Sequence, residues 1–388
     1  MDAKSIALEG FAMDFGLNQI QREIRDLSRS IFKDNVTPEK LASYDEYAMP
    51  RFDEDLWSKL AEAGLLSTCI DSDYGGSQFG FMELALLLEE VGRSIAPVPL
   101  ASHCLSMMGI QKFGEEKIRK KILPEAASGK ILLTSAFLEP MNNNPMSAHS
   151  TSYVFDGKNY IISGRKQAVP FANQADYILL SAANGEDLVV FIIEPGAAGV
   201  SIKPLQVTSF EPQAEIYLNE VTVESSQVVA VRDGSTLVKW IFDRMLSLIC
   251  MHQVGVTDAA MKMSASYTSE RTQFGVPVAT FQAVGHRMAD SYIDIECLRL
   301  TSYQAASLLD LEEEADIELQ IAKIWAADVG HRLSYSAQHV HGGAGIDRDY
   351  PLWRYCLWLR HNEMIVGGSS YHTQQLGNLI ASGRGLFS

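Results

Sequence analysis

Apolar residues recur at three- and four-residue spacing near the start of the chain. Ile20, Ile24, Leu27, Ile31 and Phe32, between Asn18 and Asp34, predict an amphipathic helix. Trp57, Leu60 and Ala61 continue the pattern over 56–63, with Gly64 placed to cap that helix. Tyr74–Gly76 reads as a turn and Phe81–Arg93 as a further helix. The Ala-Pro-Val-Pro segment at 96–99 stops it, because proline lacks the amide a helix interior needs. Helical spacing resumes to about Ser128. Near Ile131 the period changes. Segments 153–164, 177–181, 188–193 and 215–219 are short, β-branched or aromatic, and bounded by turn residues. They predict an antiparallel β domain reaching about Arg232, with Asp156-Gly157 as a hairpin turn. Long helical stripes return at Trp240–Arg271, Phe281–Leu309 and Glu314–His341, enough for a bundle. The pattern predicts an α+β fold in three parts: an N-terminal helical domain over 1–130, a middle antiparallel β domain over 131–235, and a C-terminal four-helix bundle over 236–388.

Bulk properties act by exclusion. A length of 388 residues suits two or three packed domains. A net charge of −16 argues against a general role on nucleic-acid backbone, where Lys and Arg must replace counterions. No basic segment followed by an apolar run opens the sequence, and no stretch approaches the ~20 apolar residues of a membrane span. The most apolar helical run, Trp240–Met251, is interrupted by Asp243 and Arg244. A cytoplasmic protein is expected. Five cysteines, none in a CxxC pair, read as reduced core thiols. His331, His339, His341, His361 and His372 crowd the last segment without forming a ligand set, so no metal is expected. Trp353, Tyr355 and Trp358 read as packing rather than pocket.

The C-terminal part carries specific motifs. Residues 269–282 contain Arg271, Phe274, Gly275 and Gln282. Residues 339–351 run His339-Val-His-Gly342-Gly343 and end in Tyr350-Pro351. The first resembles the Arg-x-x-Phe-Gly…Gln of the acyl-CoA dehydrogenases, the second their Gln-x-x-Gly-Gly segment with His339 in place of Gln. A cation and an amide between two helices can clamp a pyrophosphate, and paired glycines let backbone amides approach it. Residues 73–77, 89–99 and Met13-Asp14-Phe15 match the family's style as well. The resemblance implies an FAD-dependent flavoprotein, homotetrameric or heterotetrameric. It would take an α-proton and a β-hydride from an acyl-CoA thioester and pass electrons to an electron-transfer flavoprotein.

The chemistry also needs a carboxylate base, and the family has two places for one. A Glu just before a Gly-Thr pair is missing from 365–373, leaving Glu363 upstream as a candidate. Counting back from Gly255, the other place is Met245, with Asp243 two residues earlier. Two helical residues turn a side chain by ~200°, so Asp243 is a candidate base only with rearrangement. The resemblance instead associates Asp243, with Arg244 beside it, with the CoA part of the substrate. Two flavin-ring segments depart too. The Thr-Glu-Pro loop reads Leu138-Glu139-Pro140 followed by Asn142–Asn144 and Pro145, and Trp-Ile-Thr reads Gln167-Ala168-Val169. In the family a subunit's own ring contacts come from those segments, while a neighbour supplies the adenosine diphosphate contacts. The chain keeps the set offered to a neighbour and lacks the set used for itself. That asymmetry predicts a heteromer with a homologous acyl-CoA dehydrogenase subunit. Some members of the family assembled as such pairs handle bulky, steroid-type side chains, so a large acyl group is expected. The alternatives are a self-sufficient dehydrogenase with an unusual base, a flavin monooxygenase of the same fold, and a structural partner without flavin.

Overall fold

The computed structural model describes residues 16–45, 49–142, 144–146, 149–230 and 233–384; Met13-Asp14-Phe15, Asn143 and Arg232 lie outside them. The N-terminal helices are α1 (Gln19–Asn35), α2 (Pro38–Ala42), α3 (Glu54–Glu62), α4 (Phe81–Ser94), α5 (Leu100–Phe113) and α6 (Glu116–Ala127). The predicted first helix is present, opened by a capping box in which Asn18 and Gln21 exchange side-chain and backbone bonds. Its Ile24 and Phe32 are buried. Gly64 follows α3 at φ +71, the left-handed value expected of its cap.

The middle part comprises β1 (Leu133–Ala136), β2 (Ser152–Phe155), β3 (Asn159–Pro170), β4 (Tyr177–Asn184), β5 (Asp187–Ile193), β6 (Val200–Leu205), β7 (Gln213–Glu224) and β8 (Val228–Ala230). The sheet runs β6-β7-β3-β2-β4-β5-β8, with β1 beside β4. The antiparallel expectation holds for most pairs, but β1 and β2 meet β4 in parallel. Neither is joined to β4 by a hairpin, so a parallel pairing is open to both. At the β2–β3 hairpin Asp156 Oδ1 accepts the amides of Lys158 (2.8 Å) and Asn159 (2.7 Å), and Gly157 takes φ +97. Buried His103 of α5 joins this part to the helices. Its Nε2 donates to the Ala126 carbonyl, and its Nδ1 accepts the Leu133 amide, each at 3.1 Å. Burial pushes its pKa down to about 4, which keeps it neutral.

The last part has α7 (Gly234–Glu270), the short ribbon β9 (Thr272–Gln273) and β10 (Val276–Pro277), then α8 (Gln282–Asp310), α9 (Asp316–His341), α10 (Leu352–Met364) and α11 (Ser369–Ala381). Helices α7 to α10 form the predicted bundle, and α11 lies on α9. Helix α4 crosses α7 so closely that a Cβ at Gly255 would lie 1.9 Å from the Glu89 carbonyl oxygen, and one at Gly92 would lie 2.1 Å from that of His252. Only glycine fits either place. That crossing makes one continuous apolar core, containing Leu84, Leu87, Val254, Ala326 and Leu359, while the sheet has its own core around Ile162, Phe191 and Ile216. No helix among the described residues is long and apolar enough to cross a membrane.

Candidate functional site

The three parts meet around a cavity of about 150 Å³. Its walls come from Leu88 and Val91 on α4, from Phe242, Met245, Leu248 and Ile249 on α7, and from Phe137 and Leu138 after β1. Ile365 and Val366, between α10 and α11, complete it. Met245 is the residue that counting back from Gly255 puts at one of the two base positions the resemblance implies. Val366 directly precedes Gly367-Gly368 in the stretch 365–373, where the resemblance implies the other base and where no carboxylate is present. Both side chains line the cavity, and neither can take a proton. Val366 also holds φ +55, a strained value for a β-branched residue. The turn is pinned by buried Lys323, whose Nζ donates to the carbonyls of Asn362 (3.0 Å), Glu363 (3.1 Å) and Gly367 (2.8 Å). Burial lowers that lysine to about 8.

The carboxylates singled out in the sequence lie elsewhere. Asp243 is absent from the cavity wall and bonded to Lys239 at 2.6 Å, which in turn reaches Asp316 at 2.8 Å. Burial raises the Asp243 carboxyl above its ordinary range, against the pull of Lys239. Glu363 faces Arg360 (2.6 Å) and His331 (3.2 Å), again off the wall. Arg244 is 3% exposed. Its guanidinium carbon sits 3.7 Å from the Trp240 ring centre, and Nη2 donates to the Leu309 carbonyl and to Glu312. The segment therefore uses Arg244 to fasten α7 to the end of α8.

The anchor of the segments at 138–140 and 167–169 is a buried ion pair of which the sequence motifs marked only Glu139, within Leu138-Glu139-Pro140, and not Lys166. Glu139 and Lys166 are 1% and 0% exposed and pair at 2.7 Å, with Ser181 Oγ 3.1 Å from the same Nζ. Glu139 also accepts the Ser150 hydroxyl (2.9 Å) and the Thr151 amide (3.2 Å). Burial alone would raise its carboxyl, but His149, Lys166 and the Ser150 amide together hold it well below the usual range. Burial lowers Lys166 to about 8. The one signal in the sequence is period two, since Lys166 falls on the inward face with Ile162. Gln167 then turns back, donating Nε2 to the Glu139 carbonyl (3.0 Å) and its amide to that of Leu138 (3.0 Å). Ala168 follows at φ +51. The aromatic face that would lie on a flavin ring is replaced by this self-bonded corner. Arg51, Glu211, His252 and His361 also line the cavity, though no motif pointed to them.

The dinucleotide segments are arranged differently. Tyr267, one turn before Arg271, stacks on His341 with ring centres 4.4 Å apart. His341 Nδ1 donates to the Ala337 carbonyl (2.7 Å), so Nε2 accepts the Tyr350 hydroxyl (3.2 Å). This brings the Arg271–Gln282 loop and Gly342-Gly343 to one end of the bundle. Arg271, Phe274, Gln282, His339, Gly342 and Gly343 are all exposed, Phe274 at 94%. Gly342 takes φ +60, and a Cβ there, at Gly343 or at Gly275 would meet nothing within 4 Å. An open backbone cradle beside an exposed cation fits the pyrophosphate and adenosine of FAD. At about 150 Å³ the cavity is smaller than the ~300 Å³ at which ligand sites usually begin, a tight space for the ring.

Solved structures share this fold over nearly the whole chain. Residues 18–130 match the acyl-CoA dehydrogenase N-terminal domain and residues 232–380 the C-terminal domain. Acyl-CoA dehydrogenase FadE27 of Mycobacterium tuberculosis is 33% identical over 378 residues, covering 95% of this chain and 99% of that protein. A chain of the ChsE4–ChsE5 complex of Mycobacterium tuberculosis superposes with a TM-score of 0.89 at 32% identity, covering 95% of this chain and 99% of that one. A chain of a variant of the Tcur3481–Tcur3483 steroid acyl-CoA dehydrogenase gives 0.86 at 34% identity, covering 94% and 98%. The chain belongs to the acyl-CoA dehydrogenase family. It is an acyl-CoA dehydrogenase-type flavoprotein whose cofactor is FAD.

Proposed function

We infer that this chain works as one subunit of a heteromeric acyl-CoA dehydrogenase, completing an FAD site whose ring and base belong to a homologous partner. One observation supports the reading: the cavity is lined by Met245 and Val366, which cannot take a proton, where the resemblance would put a carboxylate, while Asp243 and Glu363 lie off its wall. FAD, when bound, takes up the β-hydride of the acyl thioester. The residues here have binding roles. Arg271 and the Gly342-Gly343 amides hold the pyrophosphate, and Gln282, His339 and Phe274 hold the adenosine end. Asp243 and Arg244, bonded to Lys239 and to Leu309, brace the first part of α7. Two of the similar structures are two-component assemblies, one of them a steroid acyl-CoA dehydrogenase, which favours a bulky acyl group. Electrons would leave to an electron-transfer flavoprotein, and the compartment would be cytoplasmic.

The test is flavin absorbance of the chain purified alone and purified with its genomic neighbour. Colourless alone and yellow together, at one FAD per pair, is expected. One flavin per chain alone would overturn the reading in favour of a self-sufficient enzyme.

A further inference from the structure

The cavity is tight for a flavin ring, yet it is neither filled nor wholly apolar. Arg51, 3% exposed, lines it. One guanidinium nitrogen of Arg51 donates to the Ile95 carbonyl, and the guanidinium carbon stands 5.6 Å from the Trp358 ring centre. Its Nε has no partner, and no carboxylate among the described residues forms an ion pair with it. The two nearby acids are committed elsewhere. Asp45 is bound to Arg354 through both oxygens. Glu211, on the cavity wall, accepts Gln213 Nε2 at 2.8 Å and faces His361 Nε2 at 3.7 Å. The neighbouring His252 is held by Asn362 at 2.9 Å, and burial pushes its pKa down to about 3, so it adds no charge. A cation deep in a mostly apolar cleft, attracted through space by Asp45 and Glu211 but in direct contact with neither, is an incomplete arrangement, because burying a charge is costly unless it is closely paired.

We propose that this cavity is a binding site for a small apolar carboxylic acid, its carboxylate on Arg51 and its hydrocarbon body against Trp358, Phe242 and Met245. The proposal rests on the reading that the chain holds no flavin ring of its own. Size sets the class. An apolar cavity of ~150 Å³ holds a benzene-sized body, so the acid has about six to nine carbons and no coenzyme A attached. Guanidinium and carboxylate pair through two parallel hydrogen bonds, which a neutral analogue of the same shape cannot form. A thioester has no such carboxylate. The site therefore distinguishes free acids from activated ones, and it lies where α4, α7 and α10 join.

Isothermal titration and Trp fluorescence of the purified chain, alone and in complex with its genomic neighbour, test this with benzoate, octanoate and, as the neutral isostere, benzamide. Expected is saturable binding of the acids at one per chain, at least tenfold tighter than benzamide. Arg51→Gln should abolish the preference for the acid while leaving benzamide unchanged. Ala101→Phe, adding a ring at the cavity wall from a half-buried helical position, should block all three. Folded wild-type protein that binds neither acid would overturn the proposal, as would acid binding undiminished in both variants. Flavin absorbance of the same samples separates the two readings. Colourless protein that ignores the acids sinks only this inference, whereas yellow protein at one flavin per chain sinks the shared flavin site.

Discussion

Tyr267 and His341 stack with their rings 26° from parallel and 4.4 Å apart, tying the end of α7 to the end of α9. Arg271 lies one turn beyond the first ring and Gly342 immediately after the second, so one aromatic contact sets the spacing of both dinucleotide segments. Tyr267→Ala should loosen that spacing. A stacked pair contributes about 1 kcal/mol, so the yellow complex should hold FAD about fivefold more weakly. Flavin released on dialysis measures it, and unchanged retention would show that the stack has no bearing on the clamp.

Arg271→Ala removes a charge-assisted bond to phosphate worth about 2 kcal/mol. FAD affinity of the complex should fall about thirtyfold while co-purification of the two subunits is kept. If affinity holds and the complex falls apart instead, Arg271 belongs to the interface and not to the cofactor.

The Glu139–Lys166 pair predicts a stability effect with a clear sign. Breaking one side, as in Lys166→Met, should cost about 3–5 kcal/mol, and Glu139→Gln combined with Lys166→Met should recover much of it. Thermal melts of the three proteins suffice. Because the folded Glu139 carboxyl titrates well below its ordinary 4.5, the unfolded chain binds more protons in acid. Its stabilisation is present above pH 4.5 and is lost as pH falls toward the folded value. Glu139→Gln should flatten that acid limb, and a limb as steep as wild type would mean that other carboxylates set it.

Restoring a base should restore nothing. Met245→Glu and Val366→Glu place a carboxylate on the cavity wall, but Gln167 and Ala168 still occupy the ring face. The chain purified alone should stay inactive toward acyl-CoA, and the complex should keep its rate within about twofold. Asp243→Asn should likewise leave the complex unchanged, since its carboxylate serves Lys239. A tenfold fall with Asp243→Asn would return it to the reaction.

Lys323→Met orphans three carbonyls at the turn that carries Val366. With each buried unsatisfied group costing about 1–3 kcal/mol, the melting temperature should drop by several degrees. Proteolysis should then start near 365–368, and cleavage elsewhere would show that the turn is held by something other than the lysine.

Much of the fold could be read from periodicity. Ile20 to Phe32, the Asp156-Gly157 turn and the long C-terminal stripes all became the elements they predicted. The direction of β1 and β2 could not be read, because no local pattern distinguishes a strand arriving from a helix from one arriving from a hairpin. The proposed flavin clamp was legible because Arg271 and Phe274 fall in one short, chemically distinctive motif and Gly342-Gly343 in another. The cavity was not. Arg51, Glu211 and His361 come from three distant segments, which only the tertiary fold brings to one cavity. Burial is also invisible in a motif: Arg244 stands beside Asp243 in the sequence, yet it ends beneath Trp240.

At the tip of the β9–β10 ribbon, with Val276 and Phe281 behind it, the Phe274 ring is 94% open to water and leaves an unsatisfied surface on the lone chain. A partner subunit that covers that ring, as proposed above, would contribute part of the chain's resistance to unfolding, and that part would disappear on dilution. The melting temperature of this protein would then be a property of the solution as much as of the polypeptide, and two preparations of different strength would not agree.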